Sequence, residues 1–184
     1  MVNYKLKGNI FKSSILLFLL GSLLHFAYDF LNNNFIVGLI TPINESVWEH
    51  LKLAVNSIPF WWIIFYLIKK EEYNLNKSKW FLGCLISITV SIITIVSIFY
   101  FTRYGLNVKS TIIDIASLYI ALLLGQLTGY HIYKYSRIDN CWFSIILIYI
   151  VIVSFMILTI VPPKLPLFED PVTRTYGIYK QKKN

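Results

Sequence analysis

Pro42-Ile43-Asn44-Glu45-Ser46-Val47-Trp48-Glu49-His50-Leu51-Lys52-Leu53 sets two carboxylates, an imidazole and an amine just ahead of a long apolar run. That run continues to Ile68, and its length decides the fold class. At 1.5 Å per residue, about 20 predominantly apolar residues cross the roughly 30 Å hydrocarbon core of a bilayer. Residues 47–68 are therefore read as a membrane-spanning helix, capped at its start by Thr41-Pro42 or Asn44 and bent at Pro59.

Four more runs of similar length flank it, at residues 10–31, 80–101, 111–130 and 141–161. The first carries His25 and Asp29 and lacks an Ala-x-Ala-like cleavage site, so it reads as a retained span rather than a signal peptide. The expected fold class is an all-α integral membrane protein: a five-transmembrane-helix bundle in one domain, residues 1–184, closed by an extended Pro-rich C-terminal strap at 162–178. Prolines at 162, 163, 166 and 171 exclude a helix there and favour a turn at Asp170-Pro171.

Composition agrees with this reading. Of 184 residues 57% are hydrophobic and only 14% charged, yet the net charge is +8, and the mean hydropathy of +0.62 is too high for an ordinary soluble domain. The basic groups must then lie in the connecting segments, where they favour anionic lipid headgroups; no basic patch interleaved with stacking aromatics points to nucleic acid. Cys84 and Cys141 lie far apart without a Cys-x-x-Cys pattern, which excludes a disulfide framework and a zinc ribbon and leaves two buried free thiols. Heavy use of Ile, Asn, Lys and Tyr points to an AT-rich bacterial genome.

Lysines and arginines crowd the N-terminus and the 69–79 loop and are missing from residues 32–45. By the positive-inside rule the N-terminus is cytoplasmic and, after five crossings of the plasma membrane, the C-terminus is extracytoplasmic. The ionisable residues then sort by depth. His25, Asp29, Glu45, Glu49, His50, Arg103 and Asp114 all fall toward the outer leaflet, and Glu169 and Asp170 follow the fifth span there.

Helical phase sharpens the grouping. At about 100° per residue Glu45, Glu49, Lys52 and Asn56 fall within a sector of roughly 60°, while His50 is turned away by about a quarter of a circle. Ser22, His25, Asp29 and Asn32 share a face of the first span. A charge at membrane depth costs a few kcal/mol or more unless paired or wetted, so the two stripes are expected to face each other or a water-filled cavity.

Three readings of this constellation stay open on the residues alone. One is an outward-facing polar cavity for a small polar ligand, formed by His25, Asp29, Asn44, Glu45, Glu49, His50, Lys52 and Asp114. A second is a network that merely stabilises the bundle, with Glu49 paired to Lys52 and His25 to Asp29. The third is a membrane-embedded metal-dependent hydrolase acting near the outer leaflet. Its divalent Zn, Mn or Fe would be held by His25, Asp29, Glu45 and Glu49, with Glu45 or Glu49 as the catalytic base. No zincin signature and no Gly-x-Ser-x-Gly elbow is present, so Ser22, Ser46 and Ser57 are not read as nucleophiles.

The remaining features read as packing or interface. Ser87, Ser91 and Thr94 on the third span, with Ser110, Ser117, Ala121, Gly125 and Thr128 on the fourth, form small-residue rows that let helices approach. Trp48, Trp61, Trp62, Trp80 and Trp142 fall near span ends, where indoles occupy the headgroup belt, although Trp48 could wall the cavity. His131 reads as interfacial. The strap, with Phe168, Tyr176 and Ile178 as anchors, is either a lid on the outer mouth or a surface strap, and Lys180, Lys182 and Lys183 read as a solvated end.

Three segments, Gly21-Ser22-Leu23-Leu24-His25-Phe26-Ala27-Tyr28-Asp29, Asn44 through Leu53, and the 162–178 strap, resemble those of an uncharacterised family of small multi-pass membrane proteins from Firmicutes, a domain of unknown function. The resemblance runs from end to end and implies the fold and the grouping of these segments, but no activity. Arg174 stands where that family's Thr-Gly-x-Tyr-Gly turn would have Gly. Membrane hydrolases of the alkaline ceramidase and progestin-receptor type also use His and Asp ligands; five spans and the lack of a His-x-x-x-His pair argue against membership, leaving an analogy of mechanism.

Overall fold

The structure is a computed structural model and describes residues 2–138 and 140–178, so the terminal lysines at 180, 182 and 183 lie outside the described residues. The described chain folds as α1 (Val2–Phe30), α2 (Phe35–Ile40), α3 (Val47–Tyr73), α4 (Lys77–Tyr100), α5 (Thr111–Tyr135) and α6 (Cys141–Ile160). All but α2 are long and apolar enough to cross a membrane. A π turn, Phe101–Gly105, extends α4.

Each helix ends where the chemistry of its flanks dictates. Asn32 and Asn33 take left-handed conformations, φ 54° and 56°, and stop α1. Asn34 then caps α2, its side chain accepting from the N–H groups of Ile36 at 2.9 Å and Val37 at 3.4 Å. Left-handed Asn74 closes α3 and Asn76 opens α4 by accepting from Lys79 N–H at 3.0 Å. The start of α3 differs from the sequence expectation: the cap is Ser46, whose hydroxyl accepts from Glu49 N–H at 3.3 Å. Asn44 lies two residues earlier and accepts from Ser46 N–H at 2.9 Å in an Asx turn. Pro59 lies inside a continuous α3.

The packing is that of a bundle whose exterior is apolar. Along α1, Leu6, Ile10, Ser13, Ser14 and Leu17 are buried, while Phe11, Ile15, Leu16, Leu19, Leu23 and Phe26 are exposed. The same inversion on the other long helices fits lipid contact better than water.

In the interior α4 and α5 come closest together. A Cβ on Gly129 would stand 2.5 Å from the Gly83 carbonyl oxygen, and one on Gly125 2.6 Å from the Ser87 carbonyl oxygen. The small-residue rows read from the sequence serve this approach: Ser87, Ser91, Ser117, Ala121 and Gly125 are all buried.

Beside that contact Gln126, fully buried, joins three other helices. Its oxygen accepts from Trp62 Nε1 at 2.7 Å and Ser87 Oγ at 3.0 Å, and its amide donates to Ser13 Oγ at 2.6 Å. Trp62 and Trp80 are consequently buried rather than in a headgroup belt, Trp80 Nε1 donating to the Trp62 carbonyl at 2.9 Å. Their N–H groups found partners inside the bundle, which removes the reason for an indole to seek the interface. Cys84 is buried as expected, but Cys141 is only partly buried at the start of α6.

The 162–178 segment is non-helical, as its prolines require, and is fastened at both ends. Trp48 N–H donates to the Leu167 carbonyl at 3.0 Å, and the Trp48 ring is sandwiched between Phe155 and Phe168, with centroids 4.0 and 4.5 Å away. Buried Asp170 shapes the turn, accepting from Val172 N–H at 2.9 Å and Thr173 Oγ1 at 2.6 Å. Arg174 takes φ 59° there, so the left-handed position that favours glycine is present although an arginine fills it. Its guanidinium reaches Glu169 at 2.9 Å, a carboxylate that keeps Arg174 protonated beyond its usual range.

The α4–α5 approach generates the first prediction. Gly129→Ala lowers stability by about 1–3 kcal/mol through overpacking against backbone that cannot yield. Gly8→Ala, where nothing lies within 4 Å of the added carbon, is neutral or raises stability by up to about 1 kcal/mol. Thermal unfolding in one detergent distinguishes them; equal midpoints for the two variants contradict the packing described.

Candidate functional site

Call the end of the bundle where α1 begins the near end and the opposite one the far end. Two polar constellations form at the far end, and between them they hold five of the eight residues that the sequence placed in one.

The first is buried. Glu49 and Lys52 side chains are 3% and 0% exposed and meet at 2.6 Å. Lys52 Nζ also donates to the Gly38 carbonyl at 2.7 Å and the Thr41 carbonyl at 3.2 Å, so all three ammonium protons have acceptors. Glu49 Oε2 accepts from Ile43 N–H at 3.1 Å, and Oε1 lies 3.0 Å from the Thr159 hydroxyl on α6. Asn56, one turn beyond Lys52, donates to the Ile40 carbonyl at 2.7 Å.

The reason for this polar stripe is α2. A helix this short ends with carbonyls that have no partner of their own, and where they are covered by other side chains the protein must supply one. Lys52 and Asn56 satisfy the carbonyls of Gly38, Thr41 and Ile40, and Glu49 neutralises the lysine. Gly38 lets α2 lie against α1, since a Cβ there would stand 2.8 Å from the Tyr28 ring.

The second constellation is partly open. His25 on α1, His50 on α3 and Glu45 in the loop before α3 bring one ligand atom each within 4.8 Å of one another. Glu45 Oε1 lies 3.9 Å from His25 Nε2, and Oε2 lies 3.5 Å from His50 Nε2; the imidazoles are 28% and 32% exposed and the carboxylate 53%. The two rings stand 5.1 Å apart between centroids. His50 Nδ1 lies 2.9 Å from the Ser46 carbonyl. A carbonyl only accepts, so Nδ1 carries a proton, and Nε2, the atom that faces Glu45, is the one positioned to act as a ligand. Fixing the tautomer through the other ring nitrogen is the usual support of a metal-ligating histidine. His25 Nδ1 has no partner among the described residues, so nothing on that side fixes its ring.

The grouping therefore differs from the phase reading. Glu45 is not helical, because α3 begins only at Val47, and extending the 100° wheel back to it gave it a false alignment with Glu49. Glu49 points into the buried network, away from His25, and His50, which the wheel turned aside, is the residue that meets His25 and Glu45.

The other residues singled out in the sequence lie elsewhere. Asp29 is exposed and accepts from Asn33 Nδ2 at 3.2 Å. Asp114 pairs with Arg103. Asn44 donates to the Gly177 carbonyl at 3.3 Å, which ties the C-terminal segment to the loop that carries Glu45. The Ser22, Ser46 and Ser57 hydroxyls are engaged with the Phe18 carbonyl, Glu49 N–H and the Leu53 carbonyl respectively. Thr159 and Gln126 were not singled out by the sequence; only their position in otherwise apolar spans marked them.

Comparison with known families identifies the chain: residues 2–178 match the model of a family of unknown function, DUF6512, and the protein belongs to that family. No curated protein and no solved structure matches it.

The buried network makes its own prediction. Lys52→Met leaves Glu49 buried and uncompensated and costs about 3–5 kcal/mol, whereas Glu49→Gln combined with Lys52→Met recovers part of that loss. A thermal-melt double-mutant cycle measures it, and additive losses would contradict a direct pairing.

Proposed function

Taking membership of that family as the premise, we propose that the protein crosses a bacterial plasma membrane five times, with its near end cytoplasmic, and binds a divalent transition-metal ion at its far, outward end through His25, Glu45 and His50. The orientation is supported by charge: Lys5, Lys7, Lys12, Lys69, Lys70, Lys77 and Lys79 gather at the near end, while the 32–45 connection at the far end has no basic residue.

The observation that carries the metal reading is the convergence of two imidazoles on opposite oxygens of one carboxylate. A four-coordinate ion with bonds of about 2.0–2.1 Å spaces its ligand atoms about 3.4 Å apart. With one ligand atom taken from each residue the three lie within 4.8 Å of one another, and each imidazole nitrogen already stands 3.5–3.9 Å from a carboxylate oxygen, so small side-chain movements close the set around an ion. A simple ion pair needs one histidine, and a second protonated ring at 5.1 Å would repel the first. Two imidazoles and a carboxylate suit Zn²⁺, Fe²⁺ or Mn²⁺.

The partial exposure of all three side chains leaves room for a water or a substrate atom on the ion. Three protein ligands with an open position is the pattern of sites that activate water, so hydrolysis at the outer membrane surface is the chemistry this centre supports. Glu49 and Lys52 serve it from behind, by holding the loop that presents Glu45.

Metal analysis of purified protein tests this. The wild type is expected to retain about one equivalent of zinc, as a single such site does, and His25→Ala, His50→Ala and Glu45→Gln each lose it while staying folded. Glu49→Gln lowers the melting temperature but keeps the metal. Metal content indifferent to all three ligand substitutions would refute the assignment.

A further inference from the structure

A cleft lies at the opposite end from the proposed metal centre. It has a volume of about 570 Å³ and opens between the start of α1 and the end of α5, lined by Tyr4 and Lys7 from α1 and by Leu127, His131, Lys134 and Tyr135 from α5 among others. These positions repeat at helical spacing, so each helix gives the cleft one continuous face. Lys134 lies 4.9 Å from the Tyr135 ring centroid, and the His131 and Tyr135 rings stand 4.7 Å apart.

What marks this cleft is two cations facing one concave space with no carboxylate among its lining residues. Lys69 and Lys70 are paired with Glu72 and Glu71. Lys7 and Lys134 form no ion pair among the described residues, and no carboxylate lines the cleft. Two uncompensated ammonium groups with tyrosine hydroxyls and an imidazole beside them are a donor set for phosphate oxygens.

Polarity changes along both faces in the same direction. One turn deeper than Lys7 is Phe11, 47% exposed, and below Leu127 is Leu124, 44% exposed. An acyl chain would follow those apolar residues while its phosphate reached the lysines, the arrangement by which basic pockets between spanning helices take lipid headgroups. We infer that this cleft is a specific site for one anionic phospholipid, its phosphate held by Lys7 and Lys134 at the cytoplasmic surface.

Native mass spectrometry of the full chain with added phosphatidylglycerol or phosphatidylcholine tests it. The wild type is expected to retain phosphatidylglycerol selectively, and Lys7→Gln/Lys134→Gln to weaken that retention by roughly tenfold or more, as the loss of two surface cations implies. The charge-matched control Lys77→Gln/Lys79→Gln and the charge-keeping Lys7→Arg/Lys134→Arg should both retain it. Equal retention of the two lipids by the wild type overturns the site, with no need for any variant. Equal weakening by the control pair overturns it in favour of a merely basic surface. Displacement of the lipid by excess inorganic phosphate overturns the lipid as the source of the phosphate.

Discussion

The path of the chain between α1 and α3 depends on the Lys52 ammonium. A fully buried lysine is tolerated only when each of its protons has an acceptor and its charge a counter-charge. Lys52 meets both conditions with the Gly38 and Thr41 carbonyls and the Glu49 carboxylate. Those acceptors come from three successive pieces of chain, namely α2, the connection after it and α3. Satisfying one cation therefore fixes the path of the whole 35–46 segment against α3, and Thr159 extends the same network to α6. The net energy of such a pair is modest, because desolvation offsets most of the attraction. What it supplies is position.

Position is what the open constellation needs. Glu45 is in a loop, where a side chain would ordinarily be free to wander. Here Ile43 N–H is bound to Glu49, Asn44 braces Ser46 and Gly177, and Ser46 caps α3, so the residues on both sides of Glu45 are held. The Ser46 carbonyl also sets the His50 tautomer. A single short loop thus orients two of the three proposed ligands, and α1 supplies the third.

Much of the fold was legible in the sequence because membrane physics leaves few alternatives. Long apolar runs gave all five long helices, and Ser87, Ser91 and Gly125 correctly marked the closest helix contact. The short helix at 35–40 was not legible, since six apolar residues between Asn and Thr carry too little periodicity to distinguish a turn of helix from a loop. Missing it removed the reason for the Lys52 and Asn56 stripe, which then resembled a cavity wall. The pairing of Glu49 with Lys52 was among the open readings, but its carbonyl partners were not. His25, Glu45 and His50 were all placed in the proposed cavity, but a helical wheel begun two residues too early turned His50 off the polar stripe and left it out of the expected metal ligands. Gln126 could have been suspected from chemistry alone, since an uncharged amide deep in an apolar span requires partners on neighbouring helices.

The donors that surround a metal ion in this protein decide whether His25, Glu45 and His50 form its centre. X-ray absorption at the zinc edge of the metal-loaded wild type reads them directly. It should show a shell of nitrogen and oxygen donors without sulfur, with the outer-shell scattering of two imidazoles, reduced to one imidazole in His50→Ala reloaded with metal. A shell containing sulfur, or a wild-type spectrum with no imidazole scattering, would contradict the His25, Glu45 and His50 centre.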